Sequence, residues 1–399
     1  MNIDLLLAIV FFLILLTIFF IFKSKFEVQN KIFVLYKTKL GIKWMDKLAK
    51  NYPRFLNFIS YISIIIGFAG MIYIFYILIK GTYMLLAIPN STPLLAPVLP
   101  GIKIAGLPML TFWYWIIAIL FVATIHEFSH GVFARLSDTK IKSSGFAFLG
   151  PILAAFVEPD EKQLVKKTKK QQLAVFSAGP FSNIIAGMLI LLFSVFIFTP
   201  IVSSMSYGTG VQVVSLDKNF PAEKSGIQIG EDMLELNNVS IQNPTNFSDL
   251  LTDLKPGDEI NIKTANSSYK IIATERPDNK NKGYLGIVVS AKNVSVKKEI
   301  IDKYGNFIPL LLDWFAKLFF WLYAINLGVG LFNLLPLGPV DGGRMFNTGM
   351  EYFTKNKKLI KKIYTIVTLF CLLLIFINLL PYIIKLIYFI LKPILVFLI

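Results

Sequence analysis

Seven stretches of roughly twenty mostly apolar residues leave this chain few ways to fold. They run at about residues 3–22, 56–80, 112–134, 173–199, 311–334, 362–380 and 382–399. A helix needs about 20 such residues to cross the hydrocarbon core of a bilayer. Within lipid, only helices and closed barrels satisfy their own backbone hydrogen bonds. The chain therefore reads as a polytopic α-helical membrane protein with about 6–7 transmembrane helices. Pro381 interrupts the last two stretches, which form either a tight hairpin or one broken helix. The first stretch lacks a basic start and a small-residue cleavage site, so it reads as a retained helix and not as a signal peptide.

Charge is sparse, 16% of residues, but strongly basic at +16. Of the 40 cations, 22 lie in three loops: nine within 23–54, eight within 135–170 and five within 355–362. Such placement argues against nucleic acid as a partner and for the positive-inside signal of a membrane protein. With seven spans all three loops fall on one side, the cytoplasmic one, and the N-terminus and the polar insert at about 205–300 fall outside. Asn-x-Ser/Thr triplets begin at Asn90, Asn238, Asn246, Asn266 and Asn293, all on that outer side. The single cysteine, Cys371, permits no intrachain disulfide.

The insert has a different character. Short β-rich runs at Val211–Leu216, Met233–Leu236, Glu259–Lys263, Tyr269–Thr274 and Tyr284–Val289 alternate with helical candidates at Pro221–Ser225 and Thr245–Leu254. Turn residues such as Pro256-Gly257-Asp258 separate them. The pattern predicts a compact α+β module of about 80 residues, large enough to fold alone.

Chemistry concentrates at His126-Glu127-Phe128-Ser129-His130. Positions i and i+4 share one helix face, so two imidazoles can reach one zinc ion while the intervening glutamate reaches a coordinated water. Zinc brings the pKa of such a water to about 7, where a carboxylate can take its proton. These are the only two histidines of the chain, and they lie in a predicted membrane helix, where ionisable groups are costly and usually functional. A catalytic zinc takes three protein ligands and keeps one open position. With no third histidine, the third ligand is expected to be a carboxylate, and Asp4, Asp313, Glu158 and Asp341 are the acids near membrane depth. Asp341 is the best candidate, because Pro336, Gly338 and Pro339 break the helix just before it and the freed backbone must be buried in protein or line a cavity. A helix cap at the membrane surface is its other reading.

Three motifs in order resemble the site-2 protease family of intramembrane zinc metalloproteases: His126-Glu127-Phe128-Ser129-His130, then Ala178-Gly179-Pro180-Phe181-Ser182-Asn183, then Asn333-Leu334-Leu335-Pro336 with Asp341-Gly342-Gly343. The resemblance covers about residues 110–350. It implies one Zn2+ per chain held by His126, His130 and Asp341, with Glu127 as general base and later as proton donor to the leaving amine. It implies substrate binding by Gly179, Pro180 and Asn183, the last through the substrate backbone or the oxyanion. The apolar stretch Ser143–Glu158, with Gly145, Gly150 and Pro151, would form a re-entrant hairpin whose edge could pair with an unwound substrate. The insert resembles a PDZ domain on Gly226-Ile227-Gln228-Ile229-Gly230-Glu231-Asp232, Leu234, Asn237 and the helix at 245–254. Tyr284, Leu285, Gly286 and Ile287 would be its peptide-binding loop and strand.

These expectations divide the chain into N-terminal helices and loops (1–110), a first catalytic membrane segment (111–204), an extracytoplasmic PDZ-like domain (205–300), a second catalytic membrane segment (301–350) and C-terminal helices (351–399). The expected function is cleavage of single-pass membrane proteins within the lipid bilayer, with the site near the cytoplasmic face. The alternatives are a non-catalytic membrane scaffold that recruits peptides, and an ion transporter. The absence of any further histidine counts against transport, and the intact His-Glu-x-x-His pattern counts against a scaffold.

Overall fold

The computed structural model describes residues 3–23, 26–29, 33–88, 91–101, 107–149, 152–277, 279–338 and 340–398. Asn90, Gly150, Pro151 and Pro339, singled out above, lie outside them. The chain divides into two compact units, residues 1–194 with 315–399, and residues 195–314.

The first unit begins with α1 (Ile3–Ile21), the strands β1 (Phe26–Gln29) and β2 (Phe33–Thr38), and the helices α2 (Ile42–Asn51) and α3 (Pro53–Ala87). It continues through α4 (Phe112–Leu136), β3 (Ile141–Leu149), β4 (Ile152–Pro159), α5 (Glu161–Leu164) and α6 (Lys169–Phe193). Among the described residues, five helices are long and apolar enough to cross a membrane, at Pro53–Ala87, Phe112–Leu136, Lys169–Met205, Phe307–Phe332 and Lys357–Tyr388. The apolar run of α1, Leu6–Ile21, is shorter. The last two of the seven expected spans are one continuous helix, Lys357–Leu398, which runs through Pro381. A proline removes one intrahelical hydrogen bond, a loss that membrane helices tolerate when neighbouring groups take up the freed carbonyl.

Sequence reading did not place the strands of residues 26–38. They join the expected 143–158 hairpin in one antiparallel sheet of order β1-β2-β3-β4. Gly145 is where β3 meets β2 most closely: a Cβ there would stand 1.9 Å from the Tyr36 carbonyl oxygen.

Small residues let the helices approach one another, as is usual where lipid supplies no hydrophobic drive between them. Ser63 of α3 lies 2.9 Å, oxygen to oxygen, from Ser177 of α6. A Cβ on Gly131 of α4 would meet the Met45 sulfur of α2 at 2.4 Å. Leu164, Val175, Ala178 and Leu334 fill the core between these elements.

The second unit holds α7 (Thr199–Met205), β5 (Ser206–Leu216), α8 (Pro221–Lys224), β6 (Asp232–Leu236), β7 (Val239–Ser240), α9 (Pro244–Leu250), β8 (Glu259–Thr264) and β9 (Ser268–Ile272). A hairpin of β10 (Thr274–Arg276) and β11 (Asn279–Tyr284) follows, then β12 (Ile287–Val296) and α10 (Lys298–Tyr304). The main sheet has the order β12-β5-β6-β8-β9, with β7 beside β6. Alternation produces its core: Val211, Val213, Ile260 and Ile262 point inward. The helix α11 (Phe307–Phe332) then leads to α12 (Asp341–Met350) and α13 (Lys357–Leu398).

Candidate metal centre

The long helix α4 presents His126 and His130 one turn apart, as their spacing predicts, with ring centroids 4.7 Å apart. Asp341 opens α12. Its Oδ2 lies 3.0 Å from His126 Nε2 and 3.2 Å from His130 Nε2. One ligand atom from each of the three residues falls within 4.8 Å of the others. All three side chains are largely shielded from solvent.

The Asp-Gly-Gly run is explained by packing. The backbone at Leu334 and Leu337 lies against the start of α12. A Cβ on Gly342 would sit 2.2 Å from the Leu334 carbonyl oxygen, and one on Gly343 would sit 2.1 Å from the Leu337 carbonyl oxygen. The Gly342 N–H donates to the Asn333 carbonyl at 2.7 Å and so closes the turn. No side chain larger than hydrogen brings Asp341 to this place.

Glu127 lines the same cavity, of about 510 Å³, together with Lys37, Phe156, Val157, Glu158, Asn333 and Arg344. Its Oε2 accepts the Val157 N–H at 2.8 Å, so the edge strand β4 holds the carboxylate in place. Sequence reading gave no role to Asn333 or to Lys37. Asn333 was visible only as a motif letter, and Lys37 only as part of a basic loop.

The segment around Gly179 packs against the Nε2 edges of both histidines and is not part of the cavity lining. A Cβ on Gly179 would come within 2.4 Å of His130 Nε2 and 2.6 Å of His126 Nε2, so only glycine lets α6 pass this close to the rings. Pro180 lies within α6 and is buried; its carbonyl oxygen faces Gly330, where a Cβ would approach to 3.0 Å. Asn183 has no exposed surface, and its Nδ2 lies 3.0 Å from His126 Nδ1. The His130 Nδ1–H donates to the Val175 carbonyl at 2.7 Å.

In the insert, Tyr284 ends β11 and its hydroxyl donates to Asp217 Oδ2 at 2.5 Å. Leu285 is buried. Gly286 has φ +73°, and a Cβ there would meet Phe220 Cβ at 2.3 Å. Ile287 starts β12, which forms one edge of the main sheet.

The sequence model described as Peptidase family M50 matches residues 114–377. The chain belongs to peptidase family M50. This M50 chain is 31% identical over 354 residues to an uncharacterized protein of Methanocaldococcus jannaschii, with 85% of this chain and 84% of that one covered. It is 23% identical over 278 residues to the zinc metalloprotease RasP of Shouchella clausii, with 58% of this chain and 62% of RasP covered. Among solved structures, the PDZ domain of an SdrC-like protein of Listeria innocua matches at 22% identity, covering 20% of this chain and 92% of that one, with a TM-score of 0.18. As a family M50 member with several membrane-length helices, the chain is a multi-pass membrane metalloprotease of the site-2 protease type.

Proposed function

We propose that this protease cuts membrane-protein substrates within or beside their spanning segments, using one zinc ion held by His126, His130 and Asp341. The observation that carries the reading is the convergence of two imidazoles and one carboxylate, ligand atoms within 4.8 Å, on a cavity that Glu127 also lines. The donor set suits zinc: two nitrogens and one oxygen make the three protein ligands of a catalytic site and leave a position open. Both Nδ1 atoms have partners on α6, so the Nε2 atoms are the ones that face Asp341.

Zinc supplies a Lewis acid that makes water acidic near neutral pH. The chain's own groups do the rest. Glu127, steadied by the Val157 N–H, takes the proton of the attacking water and returns it to the leaving amide nitrogen. A bilayer helix hides its carbonyls in its own hydrogen bonds, so the substrate is cut as an unwound strand. The edge strand β4, which carries Val157 past Glu127, offers such a strand backbone partners.

The three basic loops remain on one side of the membrane whether the C-terminal run counts as one span or two, because only helices before it separate them. That side is cytoplasmic by the positive-inside rule. It holds the cavity mouth, with Lys37, Lys142 and Arg344, and the inserted module lies on the other. The module takes extended peptides at the free edge of β12, beside the loop of Tyr284, Leu285, Gly286 and Ile287, and presents substrates to the membrane site.

The test uses the full chain in detergent with a single-span helical substrate. Glu127→Gln is expected to lower cleavage by about 10²–10⁴-fold while one zinc per chain is retained. Wild-type cleavage by that variant would remove Glu127 from the mechanism.

A further inference from the structure

Asn183 belongs to the motif whose family resemblance implies substrate binding, yet the fold leaves it no surface to offer a substrate. It sits in α6, wholly buried, with its amide 3.0 Å from His126 Nδ1. Its Oδ1 is buried and has no hydrogen-bond partner among the described residues. A buried, unpartnered amide oxygen costs on the order of 1–3 kcal/mol, so its place calls for a physical reason.

The second histidine supplies the comparison. His130 Nδ1–H donates to the Val175 carbonyl, also on α6, at 2.7 Å. That bond sets the tautomer: with the proton on Nδ1, the lone pair of Nε2 points at Asp341 and is available to a cation. Among the described residues, the partner of His126 Nδ1 is the Asn183 side chain and not a backbone carbonyl. An asparagine amide can present either nitrogen or oxygen by a half turn about its last bond. Turned so, Asn183 Oδ1 accepts from His126 Nδ1–H as the Val175 carbonyl does from His130, and the oxygen gains the partner it lacks. Metal-ligating histidines almost always donate their other ring N–H in this way, and the partner orients the ring and raises its basicity.

We propose that Asn183 is a positioning residue for the metal centre, whose side-chain oxygen holds His126 in the Nδ1–H tautomer while the Val175 carbonyl does the same for His130. The proposal rests on His126 and His130 being zinc ligands. It places one face of α6 against both rings: a carbonyl at Val175 and an amide at Asn183 meet the Nδ1 atoms, and a missing Cβ at Gly179 leaves room for the Nε2 edges, at successive steps of four residues along one helix stripe.

The experiment compares full-length wild type, N183A and N183D in detergent. Zinc affinity is read by competition with a chelator, and the imidazoles by 15N spectra of histidine-labelled protein, which contain only two rings. N183A is expected to weaken zinc binding by about 10–100-fold and to shift the Nδ1 signal of one ring in zinc-saturated protein while the other stays. N183D, which keeps an acceptor of the same shape, is expected to restore affinity to within about threefold of wild type and to restore that signal. Wild-type affinity in N183A overturns the proposal. So does a folded N183D that binds zinc about 10–100-fold more weakly than wild type, since packing alone would then explain the residue; this second arm stands even if N183A does not fold. Failure of wild type itself to bind zinc would sink the metal centre instead, and so is distinguishable.

Discussion

The helix α3 and the strand β8 are built on opposite rules. α3 buries Ser60, Ser63, Gly67 and Gly70 while Ile65 and Ile72 stand 68% and 72% exposed. β8 buries Ile260 and Ile262 and turns Glu259, Asn261 and Lys263 outward. In water, burial of apolar area drives association. In lipid, an outward isoleucine loses nothing, and helices associate through close packing of small residues and through hydrogen bonds such as Ser63 to Ser177. One chain therefore carries two folding codes, and its proposed catalytic groups lie in the part where polar side chains, being costly anywhere else, gather inside.

Four substitutions break or sharpen this contrast. The largest effect belongs to the polar interior of the membrane unit. Asp341→Ala leaves two imidazoles without the third ligand, and both the zinc count and cleavage are expected to fall to background; a variant that retains stoichiometric zinc would show that another group completes the set. Next is the apolar interior of the insert. Ile262→Ala, at a site with no exposure, is expected to cost about 2–5 kcal/mol, seen as earlier melting of the β-rich signal with unchanged zinc content. A loss of zinc in that variant would mean the two codes are not separable.

A smaller effect is expected where the membrane unit depends on a missing side chain. Gly342→Ala puts a Cβ 2.2 Å from backbone that cannot yield, for about 1–3 kcal/mol by overpacking, and the displaced Asp341 should show as weaker zinc binding. The smallest concerns the surface of the insert. Lys263 and Glu235 pair at 2.9 Å while well exposed, so Lys263→Ala is expected to change stability by about 0.2–1 kcal/mol, less in high salt. A larger change would show that the sheet face there is covered.

Much of this was legible in the letters. The His126-Glu127-x-x-His130 pair needed only helical spacing, and the strands β5, β6 and β8 showed as short β-rich runs. The run from 362 to 399 misled, because a proline reads as a break while the helix continues through it. The paired strands β1 and β2 are hidden under their lysines; they are four and six residues long, and the further partner of β2, the strand β3, lies about a hundred positions away. Asn183 was found by its motif but assigned to a substrate, since burial leaves no mark in a single amide letter.

What the sequence settled by itself is whatever repeats within one or two helical turns or along one strand: which stretches suit lipid, where the insert's short β-rich runs lie, and that two histidines share a face. Only the tertiary structure decided that Asp341, 215 residues from His126, reaches the same point, that β4 holds Glu127, and that α6 packs directly against both rings. The reason is physical. Periodicity in a sequence records the geometry of one element, whereas the meeting of elements depends on how closely their backbones can approach, and here absent side chains at Gly179, Gly342 and Gly343 set that distance.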